Sequence, residues 1–237
     1  MTTPSRKRKR ARTPAYRAKR MSTVKVLEKK VNRLVRTKET KGTQLWTNVT
    51  GTADPDHAGI QLYTAGQGDG AHSRDGDKLQ PVSCKMNIML KSGSDGTDEE
   101  ITQFARIIVL RDTCGNDTGD APTMTQVFGS ATSKIGAEYD RSNRRKWDIL
   151  YDKTVSVTQM ATTYWNATTS LVVNRRYPRE IMIKASPKVT GRPIYFNPDI
   201  LGGLAYERGG LWLYIKGENP VDKITYDIHY QPLFKDD

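Results

Sequence analysis

Val82-Ser83-Cys84-Lys85-Met86-Asn87-Ile88-Met89-Leu90-Lys91 is the stretch on which the fold turns. Val82, Cys84, Met86, Ile88 and Leu90 alternate with Ser83, Lys85, Asn87, Met89 and Lys91. Successive side chains of a strand point to opposite faces, so a period of two predicts a half-buried β-strand. Working outward, the same period returns at Trp147, Ile149 and Tyr151, and at Ile181, Ile183 and Ala185. It returns again at Ile224, Tyr226, Ile228 and Tyr230 against Thr225, Asp227 and His229. Two apolar runs, Phe104 to Leu110 broken only by Arg106, and Leu211 to Ile215, read as more deeply buried strands. Val155 and Val157 follow a turn expected at Asp152-Lys153, and weaker strands are expected at 43–49 and 59–64.

The connections 51–58, 65–77, 92–99, 112–123 and 187–209 are long and rich in Gly, Asp, Ser, Thr and Pro. Only one short helical turn is expected between strands, around Thr123–Gly129. Without helices between strands there are no βαβ units. The expectation is an all-β, single jelly-roll sandwich of eight or nine antiparallel strands, an architecture that viral shells use.

The charge is distributed in a way that separates the chain into parts. The whole carries 38 basic and 26 acidic side chains, and residues 1–41 alone hold 16 basic and two acidic, Glu28 and Glu39. That leaves 22 basic and 24 acidic groups on residues 42–237, so a +14 leader precedes a body of −2. Residues 1–21 read as a basic arm without a core of its own, since like charges repel and nothing apolar is there to bury. Arg6, Lys7, Arg8, Lys9, Arg10, Arg12, Arg17, Lys19 and Arg20 are the candidate nucleic-acid ligands, and Arg6 to Arg10 also fit a nuclear-import signal. Residues 22–40 change character. Val24, Leu27, Val31 and Leu34 recur at helical spacing behind Ser22, a fitting N-cap, with Lys25, Lys29, Lys30, Arg33 and Arg36 opposite. A helix this short is marginal alone, so its stripe is expected to meet a neighbouring subunit or its own body. Residues 41–237 are expected to form the jelly-roll domain.

Sites for chemistry are missing. There is no GxxxxGK[ST], HExxH, CxxC or GxSxG. Gly66-Gln67-Gly68-Asp69-Gly70 resembles a phosphate loop only in composition. Asp95, Asp98, Glu99 and Glu100 suit Ca2+ by residue type, but their spacing matches no calcium loop, and a structural Ca2+ is unsupported. Cys84 and Cys114 make neither a disulfide framework nor a metal site, and Cys84 reads as a buried thiol. His57, His72 and His229 are scattered. Catalytic residues, cofactors and metals are accordingly expected to be none. No apolar stretch is long enough for a membrane span, and the basic N-terminus lacks the apolar core of a secretory signal.

Several stretches resemble the capsid proteins of small circular single-stranded DNA viruses, and the plan of arm, helix and jelly roll is similar to that of satellite tobacco necrosis virus coat protein. Gly76-Asp77-Lys78-Leu79 with Ser83-Cys84-Lys85-Met86, Arg106 to Asp112, and Arg145 to Lys153 carry the likeness. It spans roughly residues 6–160. The resemblance implies a structural coat protein of about 60 copies, packaging a single-stranded genome, DNA in preference to RNA. Together with the run Arg6 to Arg10 it implies a virion protein assembled in the host nucleus, carried there by an import receptor. A basic zipper is excluded by length and by Pro4 and Pro14. A cellular β-sandwich nucleic-acid chaperone with a basic tail is the alternative.

Overall fold

The computed structural model describes residues 25–27, 40–42, 47–68, 73–74, 76–93, 101–115, 120–129, 135–143, 145–166, 171–177, 180–199, 205–218 and 224–236. The chain divides into two compact units, Met1–Glu39 and Thr40–Asp237. In the first, residues 25–27 are helical, and Val26 and Leu27 are 52% and 55% exposed.

The second unit is built from twelve described strands and one helix. The strands are β1 (Thr40–Gly42), β2 (Thr47–Thr52), β3 (Ile60–Gln61), β4 (Lys78–Lys91), β5 (Ile101–Asp112) and β6 (Trp147–Asn166). They continue as β7 (Leu171–Tyr177), β8 (Glu180–Ala185), β9 (Ile194–Phe196), β10 (Tyr206–Arg208), β11 (Leu211–Gly217) and β12 (Thr225–Asp236). The helix α1 (Met124–Phe128) is one turn and a half, held by a capping box: Thr123 accepts from Gln126 N–H, and the Gln126 side chain accepts from Thr123 N–H.

Strand order defines the architecture. In the larger sheet β2 pairs β12, β12 pairs β4 and β4 pairs β8, all antiparallel. In the smaller, β3 pairs β11, β11 pairs β5 and β5 pairs β6, again antiparallel. Along the chain, β2, β4, β8 and β12 go to one sheet and β3, β5, β6 and β11 to the other. Eight strands shared in this way between two sheets are a jelly roll. The remaining four are additions: β1 on β12, β9 on β4, β10 on β9, and β7 on the far half of β6.

The core follows from the period of two. Cys84, Met86, Ile88 and Leu90 of β4 are buried, as are Ile183 and Ala185 of β8 and Ile228, Tyr230 and Phe234 of β12. Facing them are Ile107, Val109, Leu213 and Ile215 of the smaller sheet. Each such aliphatic side chain contributes about 1.5–3 kcal/mol on leaving water. Burial holds the Cys84 thiol protonated, pushed up to about 12. Buried hydroxyls find partners: Tyr63 donates to the Ser83 carbonyl at 2.9 Å, and Tyr206 to the Tyr63 carbonyl at 2.9 Å.

Three sequence expectations need correcting. The expected count of eight or nine strands holds for the sandwich itself, but the short strands β1, β9 and β10 and the added β7 bring the described total to twelve. The turn expected at Asp152-Lys153 does not exist, because β6 runs unbroken from Trp147 to Asn166. A bulge between Val109 and Leu110 of β5 pairs Val109 with Tyr151 and Leu110 with Ile149, and Asp152 stays in the ladder opposite Ile108. Finally, Phe104, read as part of a buried run, is 39% exposed.

Candidate functional site

The nine basic residues Arg6 to Arg20 and the stripe residues Val24, Val31 and Leu34 lie outside the described residues, and of the stripe only Leu27 is described. What the structure shows is how the β body places its own charged side chains, several of which are buried.

Arg106 is the most elaborated. It sits on β5 in register with Lys216 of β11 and Thr154 of β6. Its guanidinium forks onto Asp152, Nε to Oδ1 at 2.8 Å and Nη2 to Oδ2 at 2.6 Å. Nη1 donates to the Ile135 and Ala137 carbonyls at 3.1 and 2.6 Å. The cation also lies 5.1 Å from the ring centres of both Phe128 and Tyr139, which stack on one another. Tyr139 completes the set by donating to Asp152 at 2.7 Å. Burial pushes the Asp152 carboxyl up, but Arg106 and Tyr139 outweigh it and hold it below the usual carboxylate range. Wholly buried Lys216 places Nζ 4.5 Å from the Phe128 ring centre. Its burial, reinforced by Arg106 and opposed by Asp56, lowers it to about 8. This arrangement is a clasp: it fastens the segment between β5 and β6 over the smaller sheet. Beside it a cleft of about 910 Å3 is lined by Arg106, Tyr139, Arg141, Trp147 and Ile149 among others.

Arg74 is a second buried cation. It donates to the carbonyls of Ala65 (3.2 Å) and Gly76, and its guanidinium stands 4.2 Å over the Phe196 ring. Its backbone pairs with Gln67, so the glycine-rich stretch closes on a structural arginine. His57 is buried too. It meets the Tyr226 hydroxyl at 2.7 Å, and burial, opposed by Asp54, lowers it to about 4. His229 is half-exposed on the outer face of β12, beside Asp227 at 3.5 Å.

The rim of the body below β9 and β10 gathers arginines in the open. A cleft of about 300 Å3 is lined by Asp112, Thr113, Arg192, Pro193, Tyr195, Arg208 and Gly209. Arg208 lies 4.4 Å over the Tyr195 ring, and Arg192 reaches Asp148 at 3.4 Å. Gly209 has φ +79°, and a Cβ there would come within 2.4 Å of the Pro193 carbonyl, so glycine lets β10 pass this close. Asp112 accepts the backbone N–H groups of Cys114 and Gly115 at 3.0 and 3.1 Å, while burial raises its pKa. Beneath, Arg111 donates to the Val189 carbonyl and is lowered by burial, with Asp148 opposing. Sequence reading missed this cleft because its residues come from three connections with no common spacing.

Among the described residues no group of three or more His, Cys, Asp or Glu is placed to hold a metal, and no helix is long and apolar enough to cross a membrane. Nor, among them, is any nucleophile set against a base and an orienting partner in the geometry of acyl or phosphoryl transfer.

No protein-family model matches the chain, and no curated protein matches its sequence. Among solved structures it is similar to the 60-mer capsid protein of BFDV, beak and feather disease virus. That likeness has 13% identity and a TM-score of 0.29, and covers 84% of this chain and 93% of that one. The strand order, and not this loose superposition, carries the fold.

Proposed function

We propose that the chain is a structural coat protein, with a jelly-roll body that closes into a shell of identical copies and a basic arm that holds the packaged genome. The observation that carries this reading is the division of charge over architecture: +14 on residues 1–41 and −2 on a jelly-roll body. A nearly neutral body can meet copies of itself without self-repulsion, through shape and apolar contact. The arm meets a polyanion by releasing its condensed counterions, which makes binding strong, indifferent to sequence and weaker with salt. In a shell of about 60 copies the arms bring roughly 840 positive charges, enough for a single strand of roughly a kilobase at one charge per phosphate. We assign Arg6, Lys7, Arg8, Lys9, Arg10, Arg12, Arg17, Lys19 and Arg20 to that contact. The run Arg6 to Arg10 serves nuclear import, single-stranded DNA is the packaged form, and Val24, Leu27, Val31 and Leu34 face a neighbouring subunit. The chain is assigned no catalysis.

Deleting residues 2–20 tests the arm. The body keeps its thermal unfolding transition, and particles of the deleted chain lose most of their nuclease-protected nucleic acid. Particles with undiminished nucleic acid would refute the role given to the arm.

A further inference from the structure

A row of side chains crosses the outer face of the larger sheet at one end. Residues paired in a ladder stand side by side on the same face. Thr40 of β1 pairs with Lys235 of β12, and Lys235 with Gln80 of β4. Lys78, two residues before Gln80 and so on its face, pairs with Tyr195 of β9, and Tyr195 pairs with Arg208 of β10. The alternate positions Leu79, Phe234, Ile194 and Phe196 are buried in the core, so the row faces outward. Its far end is the cleft where Arg208 lies over Tyr195 and Arg192 stands 61% exposed.

The row begins where β1 begins. At about 4.8 Å between strands, Tyr195 is roughly 14 Å and Arg208 roughly 19 Å across the sheet from β1. Four cations lie along that line, Lys235, Lys78, Arg192 and Arg208. Asp112, a carboxylate lining the cleft, turns Oδ1 to two backbone N–H groups, and Asp148 stands 3.4 Å from Arg192. A guanidinium and an aromatic ring held together, in line with further cations, is the chemistry that takes single-stranded nucleic acid: cations follow the phosphates and a ring takes a base.

We propose that this row is a second nucleic-acid contact, on the β body, along which a single strand passes from Lys235 and Lys78 to the Tyr195, Arg192 and Arg208 cleft. It rests on the reading of the arm as a nucleic-acid ligand and adds a body-borne site that stacks a base. Phosphates lie on Lys78, Arg192 and Arg208, and a base lies against the exposed part of Tyr195.

The full-length chain is mixed with short deoxyoligonucleotides carrying 5-iododeoxyuridine, irradiated, and its cross-linked peptides are mapped by mass spectrometry. Cross-links are expected in the peptide carrying Tyr195, kept in Tyr195→Phe and abolished in Tyr195→Leu. Arg192→Gln with Arg208→Gln should lower the slope of log affinity against log salt by roughly 1.4, about 0.7 for each phosphate no longer neutralised. Cross-links confined to residues 1–41, with the slope unchanged, overturn the proposal and leave the arm's role standing. So does loss of heparin binding in the double variant with oligonucleotide binding intact, which would make the cleft a sulfated-glycan site. Small oligomers in place of shells, with the Tyr195 cross-link present, would sink the coat reading and keep the body-borne site.

Discussion

The two sheets of the jelly roll share one strand pattern and have opposite outer faces. The larger sheet shows solvent a row of small and polar side chains: Asn48, Thr50, Asn87, His229 and Lys184, with Met182 62% exposed among them. The smaller sheet is covered. α1 and residues 135–140 lie across it, Tyr214 donates to the Pro122 carbonyl at 2.7 Å, and Arg106 clasps the cover to Asp152. All seven residues of β11 are buried as a result, including a lysine. A sheet's burial is therefore decided as much by the connection that returns over it as by its own alternation.

The largest effect expected from this contrast is at the clasp. Arg106→Ala leaves Asp152 without its fork partner and frees two loop carbonyls, so chemical denaturation should show a loss of about 3–5 kcal/mol. A loss below about 1 kcal/mol would mean that the cover is held by apolar packing alone.

A smaller effect is expected at His57, the buried histidine at the end of the sandwich. Its folded pKa of about 4 lies below the unfolded value of 6.5. The unfolded chain thus binds the extra proton first as the medium acidifies. The stabilisation is full above about pH 6.5 and falls away towards pH 4, by up to about 3 kcal/mol. Asp152, also held low, adds an acid loss of the same sign. His57→Gln should flatten the fall in unfolding free energy between pH 6.5 and 4. An equal fall in the variant would assign the acid sensitivity elsewhere.

The smallest effect belongs to the open face. Asn87→Thr, between His229 and Lys184 in the ladder, should move stability by no more than about 0.5 kcal/mol. A change the size of the clasp's would show that this face is covered in solution, as it would be by a neighbouring subunit.

The same contrast explains what was legible beforehand. On β4, β8 and β12 one face meets the core and the other meets water, so a period of two survives in the sequence and finds all three strands, though it misses the first four residues of β4 and the last six of β12. On the covered sheet that period survives only at the start of β6, in Trp147, Ile149 and Tyr151. β5 and β11 appear only as apolar runs, and Arg106 and Lys216 read as interruptions when they are the fastening. Asp152-Lys153 reads as a turn because a strand acid has no visible reason to be there until its partner is found 46 residues away. β7 and the second half of β6 pair with one another, Met160 to Tyr177 through Asn166 to Leu171, beyond the reach of β5. Their sequence, with its threonines, asparagines and arginines, shows no period of two. β9 and β10 are three residues each, too short for any period. The charge division needed no structure at all, whereas the Tyr195 cleft needed the topology that brings its connections together.

The central claim is that this body closes on itself. Negative-stain electron microscopy of the purified full-length chain tests it most directly. The account predicts uniform closed shells of one diameter. Discrete small rings or monomers, binding nucleic acid through the same arm, would contradict it and make the protein a β-sandwich nucleic-acid chaperone.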